Sequence, residues 1–131
     1  MKKTSNFMAF LMLLGFLVVQ SCDKNTTPDD GTPAACATLD IAYNDEVKTI
    51  ITNSCAYSGC HDGSNTSIGD FNTYAGMKSR LDDGKIKDRA VAKDVTDPLH
   101  MPPSYATGPT ELSPADLDML HCWILDGYPE N

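Results

Sequence analysis

Apolar side chains recur at helical spacing in three stretches of this chain, with polar or proline-rich segments between them. Val47, Ile50, Ile51 and Ser54 stand at i, i+3, i+4 and i+7, which is one face of a helix. They predict a first helix over 45–53 with Asn44 as its N-cap. Tyr74, Met77 and Leu81 fall on one side of a second, short helix over 73–81, ended by Asp82-Asp83-Gly84. Residues 86–93 fit a short helix or an extended piece, and periodicity leaves both open. The last helix has the fullest signature. Ser113 is placed as N-cap, Pro114 at the first helical position and Asp116 in the first turn, the three residue types a helix start favours. Leu117, Leu120, Trp123 and Ile124 form its apolar stripe, Gly127 marks the stop, and Pro129 follows.

The pattern at the N-terminus is of another kind. Lys2 and Lys3 precede an apolar run from Phe7 to Val19. The run is too short for a comfortable membrane span and leads into a small residue before a cysteine, so it reads as an export signal. Val19-Gln20-Ser21-Cys22 is similar to a bacterial lipobox, in which the cysteine receives lipid and becomes the new N-terminus. The organisation read from this is a lipoprotein signal peptide over 1–21, a disordered tether over 22–35 and one small domain over 36–131. Residues 23–35 carry no large apolar side chain, two prolines, a glycine and three aspartates, the composition of a solvated linker.

Charge narrows the partners. The whole chain has a net charge of −8, and losing Lys2 and Lys3 with the signal takes it to −10. That balance argues against nucleic acid, whose phosphates need basic contacts, and disfavours adsorption to anionic lipid. It suits a soluble domain whose partner presents a positive patch. A domain of this length builds only a modest core, which is compatible with a core completed by a cofactor.

The strongest chemical signal is Cys55-Ala56-Tyr57-Ser58-Gly59-Cys60-His61. Two cysteines followed at once by histidine is the order of covalent haem attachment. The thiols add to the haem vinyl groups and the imidazole binds iron. The usual spacer is two residues; here it is four, with Ser58-Gly59 available as the extra turn. A second axial ligand should come from a distant, rigid segment. Met101 meets that description, forty residues beyond His61 in the proline-stiffened run Asp97-Pro98-Leu99-His100-Met101-Pro102-Pro103. A thioether opposite an imidazole raises the reduction potential relative to two imidazoles.

Cys55-x4-Cys60-His61, then Met101-Pro102-Pro103, then Leu112-Ser113 opening a helix that contains Trp123-Ile124 and ends in Asp126-Gly127-Tyr128-Pro129, resembles the small monohaem cytochrome c domains of bacterial lipoproteins. The resemblance spans nearly all of 36–131, and its one departure is the four-residue spacer. It implies an all-α fold, a few helices around one covalently attached haem c, with the N- and C-terminal helices crossing. By the same resemblance Cys55 and Cys60 carry the thioethers, His61 is the proximal ligand and Met101 the distal one. If the terminal helices cross, Cys36 and Cys122 can meet in a disulfide worth roughly 3–5 kcal/mol by loop entropy. Arg89 is a candidate partner for a haem carboxylate, with Tyr74 or Trp123 as further donors.

The function these residues imply is electron transfer, Fe(III)/Fe(II) cycling without substrate chemistry, in a lipid-anchored protein on the periplasmic or cell-surface side, serving donor and acceptor proteins. No nucleophile–base pair, phosphate loop or paired-carboxylate signature points to an enzyme. The alternative is a non-redox module in a surface complex, holding zinc or a structural haem. Zinc would use Cys55, Cys60 and His61 with Cys36, Cys122 or His121 as fourth ligand. Cys55 and Cys60 can also form a disulfide in an exported domain, His100 is a rival distal ligand, and Met101 can be a plain core methionine.

Overall fold

The structure, a computed structural model, describes residues 32–131. The signal 1–21, the lipidation candidate Cys22 and the tether up to residue 31 lie outside the described residues. Among those described, the architecture is helical with no sheet. Its only strand-like pairing is the single bridge between Asp62 and Asp70. Regular structure begins two residues before the expected domain start, with a 3-10 turn at Ala34–Thr38. A wide, π-helical turn at Tyr43–Val47 runs straight into helix α1, Lys48–Ser54. Helix α2 is Tyr74–Asp82, a second π-helical segment spans Lys87–Ala92, and helix α3 is Pro114–Leu125.

Capping explains where the α-helices start and stop. The Thr73 side chain accepts from Gly76 N–H at the head of α2. Ser113 does the same for Asp116 N–H at the head of α3, with Pro114 in the first turn. The end of α3 is a Schellman arrangement. Gly127, at φ 87°, donates its N–H to Ile124 O, and Tyr128 N–H reaches back to Trp123 O at 2.9 Å. The start of the first helical stretch differs from expectation. Asn44 is not its cap; the turn begins at Tyr43 after Ala42, and the Asn44 side chain bonds Asn131 instead. The undecided segment 86–93 is helical, in a π-type turn whose N–H groups reach five residues back, as Lys93 does to Asp88 O.

Helix α3 is the spine. It packs on the 3-10 turn, on the π-turn at Tyr43–Val47 and on the Lys87–Ala92 segment. All four residues of the predicted face of the first helix are buried, as are Met77 and Leu81 of α2 and Leu120 and Trp123 of α3; Leu117 and Ile124 are half-buried. Trp123 sits at the centre of an aromatic cluster with Tyr43, Tyr74 and Tyr128, ring centroids 6.2–6.5 Å from its own. The C-terminal tail closes over this cluster. Pro129 O accepts from both Tyr43 N–H at 3.0 Å and the Trp123 indole at 2.9 Å, and Tyr74 donates to Tyr128 O. Tyr74 and Trp123 are thus committed to the tail, and neither lines the cavity described below; the expectation that they serve as donors to a cofactor is corrected. Cys36 and Cys122 are joined as a disulfide with Cα atoms 5.0 Å apart, tying the entry of the domain to its last helix. No helix among the described residues is long and apolar enough to cross a membrane.

Candidate functional site

The domain holds a cavity of about 420 Å³, within the roughly 300–1,000 Å³ of small-molecule and cofactor sites. Its walls come from segments far apart in sequence: the end of α1 and the Cys55–His61 turn, residues 67–71, the stretch from Arg80 to Ala90, the Met101–Tyr105 loop, and Leu120 of α3. Cys55, Cys60, His61, Arg89 and Met101 all line it.

The local chain path explains how a four-residue spacer closes. Cys55 caps the end of helix α1; its N–H bonds Ile51 O at 2.8 Å, and Ala56 N–H shares the same acceptor. Residues 57–60 then form a β-turn closed by Cys60 N–H to Tyr57 O at 3.0 Å. Gly59 takes the third position at φ 84°, a conformation a side chain resists. Beyond it His61 N–H returns to Cys55 O at 3.0 Å. The two additional residues are thus absorbed in a self-contained turn, and the first cysteine and the histidine stay bridged by a backbone hydrogen bond. Both thiols are free. Burial and the neighbouring Cys60 push the Cys55 thiol up to about 12, so it is protonated at neutral pH.

His61 is held as a metal-binding imidazole is held elsewhere. Its Nδ1 lies 2.8 Å from Ile68 O, so Nδ1 carries the proton and Nε2 is the basic atom. The ring stacks on Phe71 with centroids 4.0 Å apart and planes 6° from parallel, and Phe71 N–H bonds His61 O. Burial lowers the imidazole pKa, partly offset by the Ile68 and Gly69 carbonyls, which keeps the ring neutral. Met101 is half-buried, next to a cis peptide to Pro102, and its N–H bonds Arg89 O at 3.0 Å. The methionine loop is thereby tied to the π-helical segment. His100 does not line the cavity. Its imidazole is buried elsewhere with Nδ1 3.1 Å from Lys93 O.

Cations gather here in an otherwise acidic domain. Arg80, Lys85 and Arg89 all reach the wall. Arg80 and Lys85 share Asp83 at 3.3 and 3.0 Å, while the Arg89 guanidinium makes no ion pair among the described residues. Sequence reasoning named Arg89 and missed Arg80, Lys85, Phe71 and Tyr57. Only Phe71 leaves a trace in the sequence, as the first large aromatic after the polar loop that follows His61.

The donor set fits a haem: two free thiols on one turn, an imidazole fixed through its other nitrogen, and a thioether on the same cavity. It fits zinc poorly. Among the described residues no group of three or more His, Cys, Asp or Glu converges as a metal site needs, and Cys36 and Cys122 are joined to each other. Comparison with family models, curated proteins and solved structures returns no match.

Proposed function

We propose that this chain is an electron-transfer protein, a lipid-anchored monohaem cytochrome c with Cys55 and Cys60 as thioether attachments and His61 and Met101 as axial ligands. The observation that carries the reading is the convergence of Cys55, Cys60, His61, Arg89 and Met101 on one cavity, from segments forty residues apart. When bound, the haem supplies one-electron Fe(III)/Fe(II) chemistry. The chain's own residues do the rest. Ile68 O orients the imidazole, Phe71 holds its plane, and Ile51, Ile86 and Leu120 give the cavity apolar walls that exclude water. Arg89 offers a planar cation to a carboxylate. In this reading Cys22 carries the lipid, the tether lets the domain reach donor and acceptor proteins near the membrane, and no substrate bond is made or broken.

The test is the absorption spectrum of the mature protein made with haem-attachment machinery, oxidised and reduced, then after acid–acetone extraction. Colour that stays with the chain and sharp reduced bands are expected. A colourless product beside a matured control cytochrome would remove the reading. Met101→Ala is then expected to keep the haem, held by its thioethers, and to lower the reduction potential.

A further inference from the structure

The charges on the cavity wall are all of one sign. Among the described residues Arg80, Lys85 and Arg89 line it and no carboxylate does, in a chain with 18 acidic residues against 10 basic ones. Their placement starts locally. Arg80 stands in the last turn of α2. Gly84, at φ 71°, then turns the chain through a left-handed step, and Lys85 N–H bonds Asp83 Oδ1 at 3.0 Å. That turn brings Lys85 Nζ and an Arg80 guanidinium nitrogen to the same oxygen, Asp83 Oδ2, at 3.0 and 3.3 Å. Asp83 does not itself line the cavity; it is the counter-ion of two cations that do. Arg80 commits a single N–H to it, out of the five a guanidinium carries, and Arg89 makes no ion pair among the described residues. Three cations against one carboxylate leave a surplus of two positive charges on this wall. Burial and Cys60 account for the raised Cys55 thiol, whereas a cation beside it would pull it down, so the surplus lies away from that thiol.

We propose that Arg80 and Lys85 complete with Arg89 a cationic wall that binds the two carboxylates of the bound group, and that Asp83 holds the first two cations in place for it. The inference rests on the haem reading and deepens it, because it fixes which end of the group each wall takes. A haem carries its carboxylates on the edge opposite its thioether links. Cys55 and Cys60 take one edge, and the surplus of two positive charges balances the other. The planar fork of Arg80 suits a carboxylate through parallel N–H bonds, while Lys85 acts as a point charge. A neutralised carboxylate no longer stabilises the more positive Fe(III) centre, so the wall favours the reduced state.

In the haem-loaded protein, Arg80→Gln together with Lys85→Gln is expected to lower the potential, moving the oxidised-to-reduced ratio two- to tenfold, or about 18–59 mV at 59 mV per tenfold for one electron. Asp83→Asn keeps the acceptor for Lys85 N–H and removes only the competing charge, so it should move the potential the opposite way, a sign that damage to the fold would not give. The shift should persist at ~1 M salt, where screening leaves only contacts within about 3 Å. An unchanged potential in the double variant, or a shift that vanishes in that salt, would overturn the proposal. The haem-free chain tests the wall separately, with protoporphyrin IX and its dimethyl ester as probes and Trp123 fluorescence as the readout. The free diacid is expected to bind about tenfold tighter than the ester, and the double variant to lose that preference. Equal binding of the two, or no binding of the diacid, would overturn the proposal even in a protein that matures with its haem. A preference for the diacid in a chain that leaves the attachment machinery colourless would instead remove the cytochrome reading and leave the carboxylate-binding wall standing.

Discussion

Replacing both Cys36 and Cys122 by alanine should destabilise this domain more than any single surface change. The bridge spans 86 residues, and that span contains the Cys55–His61 turn, the methionine loop and the whole cavity. Loop-closure entropy for a span of this length amounts to about 4.6 kcal/mol at 25 °C. Cys122 is also buried at 4 % exposure, so losing its sulfur leaves a small void and adds a little to that figure. A domain of this size has a total stability of about 5–15 kcal/mol, so the bridge is a third or more of it. With an m-value near ~1.5 kcal/mol per molar urea, the midpoint should fall by about 3 M. The double substitution is preferable to a thiol reductant, which would also change the oxidation state of any bound iron. The assay is urea unfolding followed by Trp123 fluorescence, with the m-value compared between the two proteins. It should rise in the variant as its denatured chain expands. A midpoint change equivalent to less than about 1 kcal/mol would refute the reasoning, since the unbridged denatured chain would then already hold its ends together.

Three further outcomes are expected. Gly76→Ala should destabilise by at least about 1–3 kcal/mol in chemical denaturation, although helix propensity alone favours alanine by about 1 kcal/mol. The added Cβ would meet Asp70 O at 1.9 Å, and a gain in stability would show that the 62–72 loop yields freely. Phe71→Ala should cost about 3–5 kcal/mol by the same assay, because the ring is buried and supports His61; a cost under about 1 kcal/mol would remove Phe71 as that support. Acid should weaken the fold late. Asp62 is held below the usual carboxylate range by the Ser64 hydroxyl, Asp94 by Thr96 N–H and Asp97 by Leu99 N–H. A depressed carboxyl stabilises above its unfolded value near ~3.9 and loses that contribution as pH falls through the lower folded value. Circular dichroism should therefore hold steady down to about pH 4, and unfolding well above that would contradict it.

What the sequence made legible was local. Helix α3 carries its start in Ser113-Pro114 and its stop in Gly127, and both signals act through bonds within a few residues. The faces of α1 and α2 were legible for the same reason, since 3.6-residue spacing is a property of one segment. The failures are long-range or off-period. Asn44 has the chemistry of an N-cap, yet its side chain is taken by Asn131, 87 residues away, and the chain turns two residues earlier than an Asn44 cap would allow. The Lys87–Ala92 segment bonds five residues back, so its side chains do not repeat at 3.6 and periodicity could not decide it. Tyr74 and Trp123 were candidate donors to a cofactor, and a tail whose course no local signal predicts took both their polar atoms. At the site, the cysteine–histidine order was readable from chemistry alone. Arg80, Lys85 and Tyr57 were not, because their place on the cavity comes from tertiary packing.

The two sides of the domain are not independent. The aromatic cluster around Trp123 and the cavity around His61 share Ile51 and Leu120, which are buried at 1 % and 0 % exposure and also line the cavity. A group filling the cavity therefore packs against side chains that α1 and α3 contribute to the common buried core. In a chain of this size, with little core to spare, the additional apolar area brought under cover by that packing adds directly to folding stability. The turn at 57–60 has a place in the same coupling. It absorbs the long spacer without moving Cys55 or His61 apart, and it sends Tyr57 across to the loop that follows Met101. The segment carrying His61 and the loop that follows Met101 thus touch through Tyr57 and Gly108, and the methionine loop is tied separately to the Lys87–Ala92 segment through Arg89 O and Met101 N–H. Each contact uses backbone or glycine on one partner, which leaves the methionine loop little freedom to move.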